Sequence, residues 1–221
     1  MNNIKTHSRK EATVIFGGTF DPIHYGHLRS AAELYEVLGV VDFRLLPAGQ
    51  PVHRRTPEST AEQRLAMLNL ALESHHDLIV DDREITRDGP SYMVETLKEL
   101  RAELPLHHTL MLVVGQDAAN YLDTWHDWRS LFSLTHLIVM TRPESVENYQ
   151  GELQQLMLEN KGDLDSIRLS TYGKVVHLPV TQLAISSTDI RAQLKCGKNP
   201  RFLLPDEVLG YIKDNSLYQL I

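Results

Sequence analysis

His24 and His27 stand three residues apart inside the stretch "GGTFDPIHYGH", Gly17 to His27. Two imidazoles at this spacing can bind a metal, move protons or donate hydrogen bonds to an anion. Their neighbours decide among these. Gly17 and Gly18 let main-chain N–H groups approach a ligand closely. Thr19 adds a hydroxyl. Helical spacing begins near Gly26, so a helix N-terminus with open N–H donors and a positive dipole end meets the same space. The Glu that marks a helical zinc pair is missing between the histidines. A Gly-x-Gly-x-x-Gly fingerprint is absent, and neither "GKV" at 173 nor "GKN" at 197 supplies the Gly-Lys-[Ser/Thr] ending of a Walker A loop. The parts converge on a polyphosphate.

A second stretch at the far end, "ISSTDIR" (Ile185–Arg191), carries complementary chemistry. Ser186 and Ser187 are N-cap residues, and Asp189 completes a capping box. Ser187 and Thr188 put hydroxyls and amides at another helix N-terminus, and Arg191 offers phosphate a planar fork of donors. Taken alone, this is equally a capped helix with a surface arginine.

Further candidates follow predicted strands. His53, Arg54 and Arg55 in "AGQPVHRR" are the densest positive spot of the chain, either a solvated loop or a grip on a phosphate. Ser91 and Tyr92 open a helix whose N–H groups suit a small carboxylate, with Ser91 as N-cap. Trp125, in the polar "LDTWHDW", either packs on protein or stacks on a cationic ring, while Trp128 reads as core. Gly115 ends a strand, and Asp117 beyond it is a natural acceptor for ribose hydroxyls. Asp81 and Asp82 face opposite ways on a strand, which argues against a metal pair. His75, His76, His107, His108 and His136 read as structural or exposed, and lone Cys196 as buried or idle.

The positioning elements alternate. "TVIF" (13–16), "VVDFRLLP" (40–47), "LIVDD" (78–82), "TLMLVVG" (109–115), "HLIVMT" (136–141) and "KVVHLPV" (174–180) read as strands. Helices fall between them, among them one from Leu28 closed by Gly39, and one capped by Ser59 with Glu62. This predicts an α/β fold: a single doubly wound, mostly parallel sheet, with ligands beyond the strands' carboxyl ends. Residues 1–11 read as a flexible tail and 12–221 as a single domain. Within 143–173, "SVENYQGELQQLML" has helical periodicity and the rest does not.

Net charge −7 excludes a protein that coats nucleic acid, and 42% hydrophobic with 23% charged residues suits a soluble globular protein. No apolar run reaches the ~20 residues of a membrane span, and the N-terminus lacks an apolar signal-peptide core. A cytoplasmic protein with no membrane partner is expected. The oligomeric state is left open, a homo-oligomer included.

Together, "GGTFDPIHYGH" and "ISSTDIR" resemble the two signatures, (T/H)xGH and ISSTxxR, of the nucleotidyltransferase superfamily. Within it the chain is similar to the bacterial nicotinate-nucleotide adenylyltransferases through "GQD" at 115–117, "TW" at 124–125, "SYMVETLKELR" at 91–101 and "LLP…VLGYI" near the end. The resemblance implies a Rossmann-like fold and transfer of the adenylyl group of ATP to nicotinate mononucleotide. It also implies catalytic roles for His24, His27 and Arg191, and an ATP site of Gly17, Gly18, Thr19, Phe20, Gly115, Asp117, Arg142, Ser186, Ser187 and Thr188. An acceptor site of His53, Arg54, Ser91, Tyr92 and Trp125 completes it, with Mg²⁺ carried by the ATP phosphates and no protein metal cage. Other acceptors, nicotinamide mononucleotide or phosphopantetheine, and a nucleotide-binding regulator without turnover, are the competing readings.

Overall fold

The computed structural model describes residues 10–52, 56–142, 145–181 and 183–219. Six strands form its sheet: β1 (Lys10–Gly18), β2 (Val40–Pro47), β3 (Ile79–Val80), β4 (Thr109–Gly115), β5 (His136–Thr141) and β6 (Val175–Pro179). Helices connect and follow them: α1 (Tyr25–Leu38), α2 (Ala61–Leu72), α3 (Arg83–Thr86), α4 (Met93–Glu103), α5 (Gln116–Ala119), α6 (Leu131–Leu134), α7 (Gly151–Glu159), α8 (Ser187–Lys195) and α9 (Asp206–Asp214). The strand order is β3-β2-β1-β4-β5-β6, and all five pairings are parallel.

Both faces of the sheet are covered, as a parallel sheet requires. Successive strand residues point to opposite sides. Val14 and Phe16 join Met111 and Val113 in a core closed by α1, α2, α8 and α9. Ile15 joins Leu112 and Val114 in a second core closed by α4, α6 and α7, where Trp128 is buried as expected. The chain leaves β1 toward one edge and returns at β4 on its other side. That reversal opens a crevice at the carboxyl ends of β1 and β4, the usual ligand position of such sheets.

Several sequence expectations shift. The sheet is wholly rather than mostly parallel. β1 starts at Lys10, inside the expected tail, because Lys10 still pairs with Val40; residues 1–9 lie outside the described residues. The capping box of α2 is Thr60 with Gln63, one residue beyond Ser59 and Glu62, because the Ser59 hydroxyl is drawn inward to Asp21. β3 keeps only two of five expected residues, since the Asp81 carboxylate is taken by Arg44 and Arg83, and α3 follows at once with Asp82 as its N-cap. Those ion pairs make Asp81 part of a charge network. α7 supplies the helix expected within 143–173, and Cys196 is exposed. Among the expected structural histidines, His136 is fully buried, its ring held by the Ser170 carbonyl and the Lys174 N–H.

Candidate active site

The first motif is built around a sharp turn after β1. A Cβ on Gly18 would lie 2.7 Å from the Phe20 ring, so that ring can fold back only over a glycine. Phe20 takes a left-handed φ of 51°, unusual for a bulky residue, and buries its ring edge-on against Phe16 and His27. Its burial offsets the backbone cost.

Beyond the turn, His24 is the N-cap of α1. Its Nδ1 accepts from the His27 N–H at 3.4 Å, and the two rings stack with centroids 3.7 Å apart. An accepting Nδ1 places the proton of a neutral ring on Nε2, which is then a donor. His24 is only 4% exposed, and burial pushes its pKa down to about 4. It is a neutral imidazole under His27, and His27 is the one of the pair that reaches the cleft wall.

Asp21 ties this turn to the rest of the chain. Its carboxylate accepts from the Glu58 N–H (2.9 Å), the Ser59 N–H (3.2 Å) and hydroxyl (2.6 Å), and the Tyr218 hydroxyl (2.8 Å). Burial raises its pKa, but the Ser59, Glu58 and Tyr218 hydrogen bonds and the Arg191 charge outweigh this and hold it below the usual carboxylate range. The second motif docks on the same turn. The Ser187 hydroxyl donates to the Pro22 carbonyl at 3.0 Å, and Arg191 Nη1 donates to the Asp21 carbonyl at 2.6 Å. Arg191 Nε also meets Glu58, whose other oxygen pairs with Lys195. Two stretches separated by 165 positions thus form one unit. Ser186 caps α8 by accepting from the Asp189 N–H, but the expected capping box is not completed, because the Asp189 carboxylate accepts from the Ser186 hydroxyl (2.8 Å) instead of the Ser186 N–H.

These elements line one side of a cleft of about 510 Å³. Of the sequence-predicted residues, Gly17, Gly18, Thr19, Phe20, His27, Gly115, Ser91, Tyr92, Trp125, Ser187, Thr188 and Arg191 meet there. His24 and Ser186 sit behind that wall as the caps of α1 and α8. Asp117 and Arg142 pair with each other at 3.9 Å beyond the ends of β4 and β5, with Asp117 89% exposed, outside the lining. His53, Arg54 and Arg55 lie outside the described residues.

Across the cleft, the expected N-cap role of Ser91 gives way to another. Ser91 pairs with the loop after β2: its N–H donates to the Gln50 carbonyl (2.9 Å) and its hydroxyl accepts from the Gln50 N–H (3.0 Å). Helix α4 begins at Met93, so the N–H groups without an intrahelical acceptor are those of Met93 and Val94. Tyr92 stacks on His126 at 4.3 Å, and Trp125 stands half-buried beside them. Sequence reasoning passed over His126, Asp21 and Tyr218, and read Ser59 only as a helix cap. His126 directly follows Trp125 in the polar loop, which was a usable signal. Asp21 reads as a turn residue in Asp-Pro, and nothing local links it to Tyr218. Among the described residues no group of three or more His, Cys, Asp and Glu could hold a metal ion.

The cytidylyltransferase-like family model matches residues 15–193. A probable nicotinate-nucleotide adenylyltransferase of Acidithiobacillus ferrooxidans is 44% identical over 214 residues, covering 96% of this chain and 98% of that protein. One from Pseudomonas aeruginosa is 42% identical over 205 residues, covering 93% and 96%. Among solved structures, the Plasmodium falciparum nicotinic acid mononucleotide adenylyltransferase complexed with NaAD superposes with a TM-score of 0.72 at 17% identity, covering 95% of this chain and 98% of that one. That likeness shows the fold.

The buried imidazole of His24 makes a direct prediction. The folded protein holds its pKa near 4, whereas a histidine in the unfolded chain titrates near its ordinary value of 6.5. Between these values the unfolded state binds more protons, so stability rises with pH through that window and is lost as pH falls through it. Ring ¹⁵N NMR from pH 7.5 to pH 6 is expected to show His24 as the neutral Nε2–H tautomer throughout. An imidazolium signal at pH 6 would contradict the assignment.

Proposed function

We propose that this chain, which belongs to the nicotinate-nucleotide adenylyltransferase family, transfers the adenylyl group of ATP to nicotinate mononucleotide, giving nicotinate adenine dinucleotide and pyrophosphate. The observation that carries the reading is the junction of α8 with the turn before α1: Ser187 on the Pro22 carbonyl and Arg191 on the Asp21 carbonyl. It brings the starts of α1 and α8, with His27 and Arg191, to one cleft that Tyr92, Trp125 and His126 also line.

In this reading the triphosphate lies along Gly17, Gly18, Thr19 and Phe20, where backbone amides and the two dipole ends favour negative charge. Thr19, Thr188 and Arg191 hold β and γ oxygens, and the amides of Ser186 and Ser187 support them, the Ser187 hydroxyl being turned to Pro22. Gly115 and Asp117 receive the adenosine ribose, and Arg142 lies on the adenine side, paired with Asp117. His53 and Arg54 grip the acceptor phosphate. Tyr92 and Trp125 flank the pyridine ring, and its carboxylate meets the α4 amides beside Ser91.

The acceptor is a phosphate monoester with a second pKa near ~6, already an anionic nucleophile at neutral pH. Its oxygen attacks the α-phosphorus of ATP. The bond from that phosphorus to the bridging oxygen breaks, and the electron pair leaves with pyrophosphate. No general base is required. The obstacle is the meeting of two anions and the charge growing on the leaving group, so positioning and electrostatic stabilisation supply the rate. His27 donates to the α/β-phosphate region, and neutral His24 holds the His27 amide in place at the start of α1. ATP enters as its Mg²⁺ complex, the ion held by substrate oxygens and water. The same proposal includes the 12–221 span acting as one domain and a cytoplasmic location, with the oligomeric state left open. No described helix is long and apolar enough to cross a membrane.

Pyrophosphate release with ATP and Mg²⁺, with nicotinate and nicotinamide mononucleotides offered in parallel, tests the reading. A strong preference for the acid is expected. Preference for the amide would overturn the acceptor, and release with neither would overturn the activity. His27→Ala is expected to lower kcat by about 10²–10³-fold with an unchanged circular dichroism spectrum. Near-normal turnover would remove His27 from the mechanism.

A further inference from the structure

Helix α2 carries a charge on its apolar face. Arg64, Met67, Leu68 and Ala71 follow one helical stripe, and all four are buried, Arg64 to 1% exposure. Arg64 forms no carboxylate hydrogen bond among the described residues. Its donors go to main-chain carbonyls instead: Nη1 to Thr19 (3.0 Å) and to Ala48, and Nη2 to Gly49 (2.9 Å). Nε has no partner among the described residues.

Those carbonyls belong to different loops. Thr19 follows β1, and Ala48 and Gly49 follow β2. Thr19 and Ala48 both line the cleft. The loops already touch, because the Ala48 N–H donates to the Gly18 carbonyl at 3.0 Å. A tether alone therefore needs no second bond, and burying a cation is costly. What a guanidinium adds is a rigid planar fork that sets distance and angle together. The peptide plane adds orientation. Its C=O and N–H point in opposite directions, so a Thr19 carbonyl held on Arg64 turns the Phe20 N–H away from Arg64, and the Ala48 carbonyl does the same for Gly49.

We propose that Arg64 is a positioning residue that fixes the spacing between the loop that receives ATP and the loop that receives the acceptor. It touches neither substrate. The inference rests on the adenylyl-transfer reading above, because only a two-substrate reaction makes the spacing of these loops a rate-determining quantity. Misplacing reactants by about 1 Å can cost about 10²-fold in rate.

Arg64→Lys keeps the charge and loses the fork. Gly49→Ala keeps Arg64 and displaces the same loop from its other side, because a Cβ there would lie 2.0 Å from the Glu84 carbonyl oxygen. Both variants are to be assayed for pyrophosphate release with ATP and nicotinate mononucleotide varied independently. Binding of α,β-methylene-ATP and the folded fraction by circular dichroism are measured alongside. The expected result is kcat lower by about 10²-fold, with both KM values and the analogue Kd within about threefold. Turnover within threefold of the parent in either folded variant, or loss of analogue binding in proportion to turnover, would overturn the proposal. Amide exchange reads the clamp without substrate. In Arg64→Lys, residues 19–20 and 48–50 are expected to loosen together, and loosening of one loop alone would overturn the proposal. A parent protein inactive with nicotinate mononucleotide would mark failure of the adenylyl-transfer reading instead, and the exchange result would still decide whether Arg64 holds both loops. If Arg64→Lys does not fold, Gly49→Ala carries the kinetic test.

Discussion

The carboxylate of Asp21 is the point on which the site depends. It is 5% exposed and ionised, which is costly unless its oxygens are satisfied. Donors from Glu58, Ser59 and Tyr218 satisfy them, so two segments far apart in the chain, 58–59 and the one holding Tyr218, are drawn to one turn. The main chain of that turn then receives α8 through Arg191 and Ser187. A buried acceptor left short of donors costs more than a made bond contributes, so this junction is close to all-or-none. The geometry of the cleft wall formed by the two motifs follows from it.

The sheet supplies the rest of the constraint. Parallel strands of this order leave a crevice where the chain reverses direction, and they aim helix N-termini into it. The protein needs no reactive side chain to exploit that. Its histidines are a neutral cap and a cleft-facing neighbour, stacked ring on ring. Arg191 is held by Glu58 and the Asp21 carbonyl before any ligand arrives. Such pre-organised donors avoid reorganisation during the reaction, which is where electrostatic catalysis draws its strength.

Local patterns carried much of this in the sequence. The strands from "TVIF" to "KVVHLPV", and a helix start on the heels of Gly-Gly, were legible because parallel strands are short apolar runs and helices repeat every three to four residues. The two motifs proposed to hold phosphate stood out because their residue types have little other use together. The hidden features are non-local. Ser59 was read as a cap, yet its hydroxyl answers to Asp21 across 38 positions, which moves the cap to Thr60. Ser91 was read as a cap, yet the Gln50 loop claims it. Asp81 was read as strand, yet Arg44 and Arg83 take its carboxylate. In each case a hydrogen bond to a partner distant in the chain overrode a local preference.

The central claim is that the acceptor phosphate attacks ATP directly, with the histidines acting as donors and never as covalent carriers. The stereochemistry at the α-phosphorus tests this most directly, using a single diastereomer of adenosine 5′-(α-thio)triphosphate with nicotinate mononucleotide and determining the configuration of the product. One direct displacement predicts inversion. Retention would mean two displacements through an adenylylated side chain, and would contradict the account.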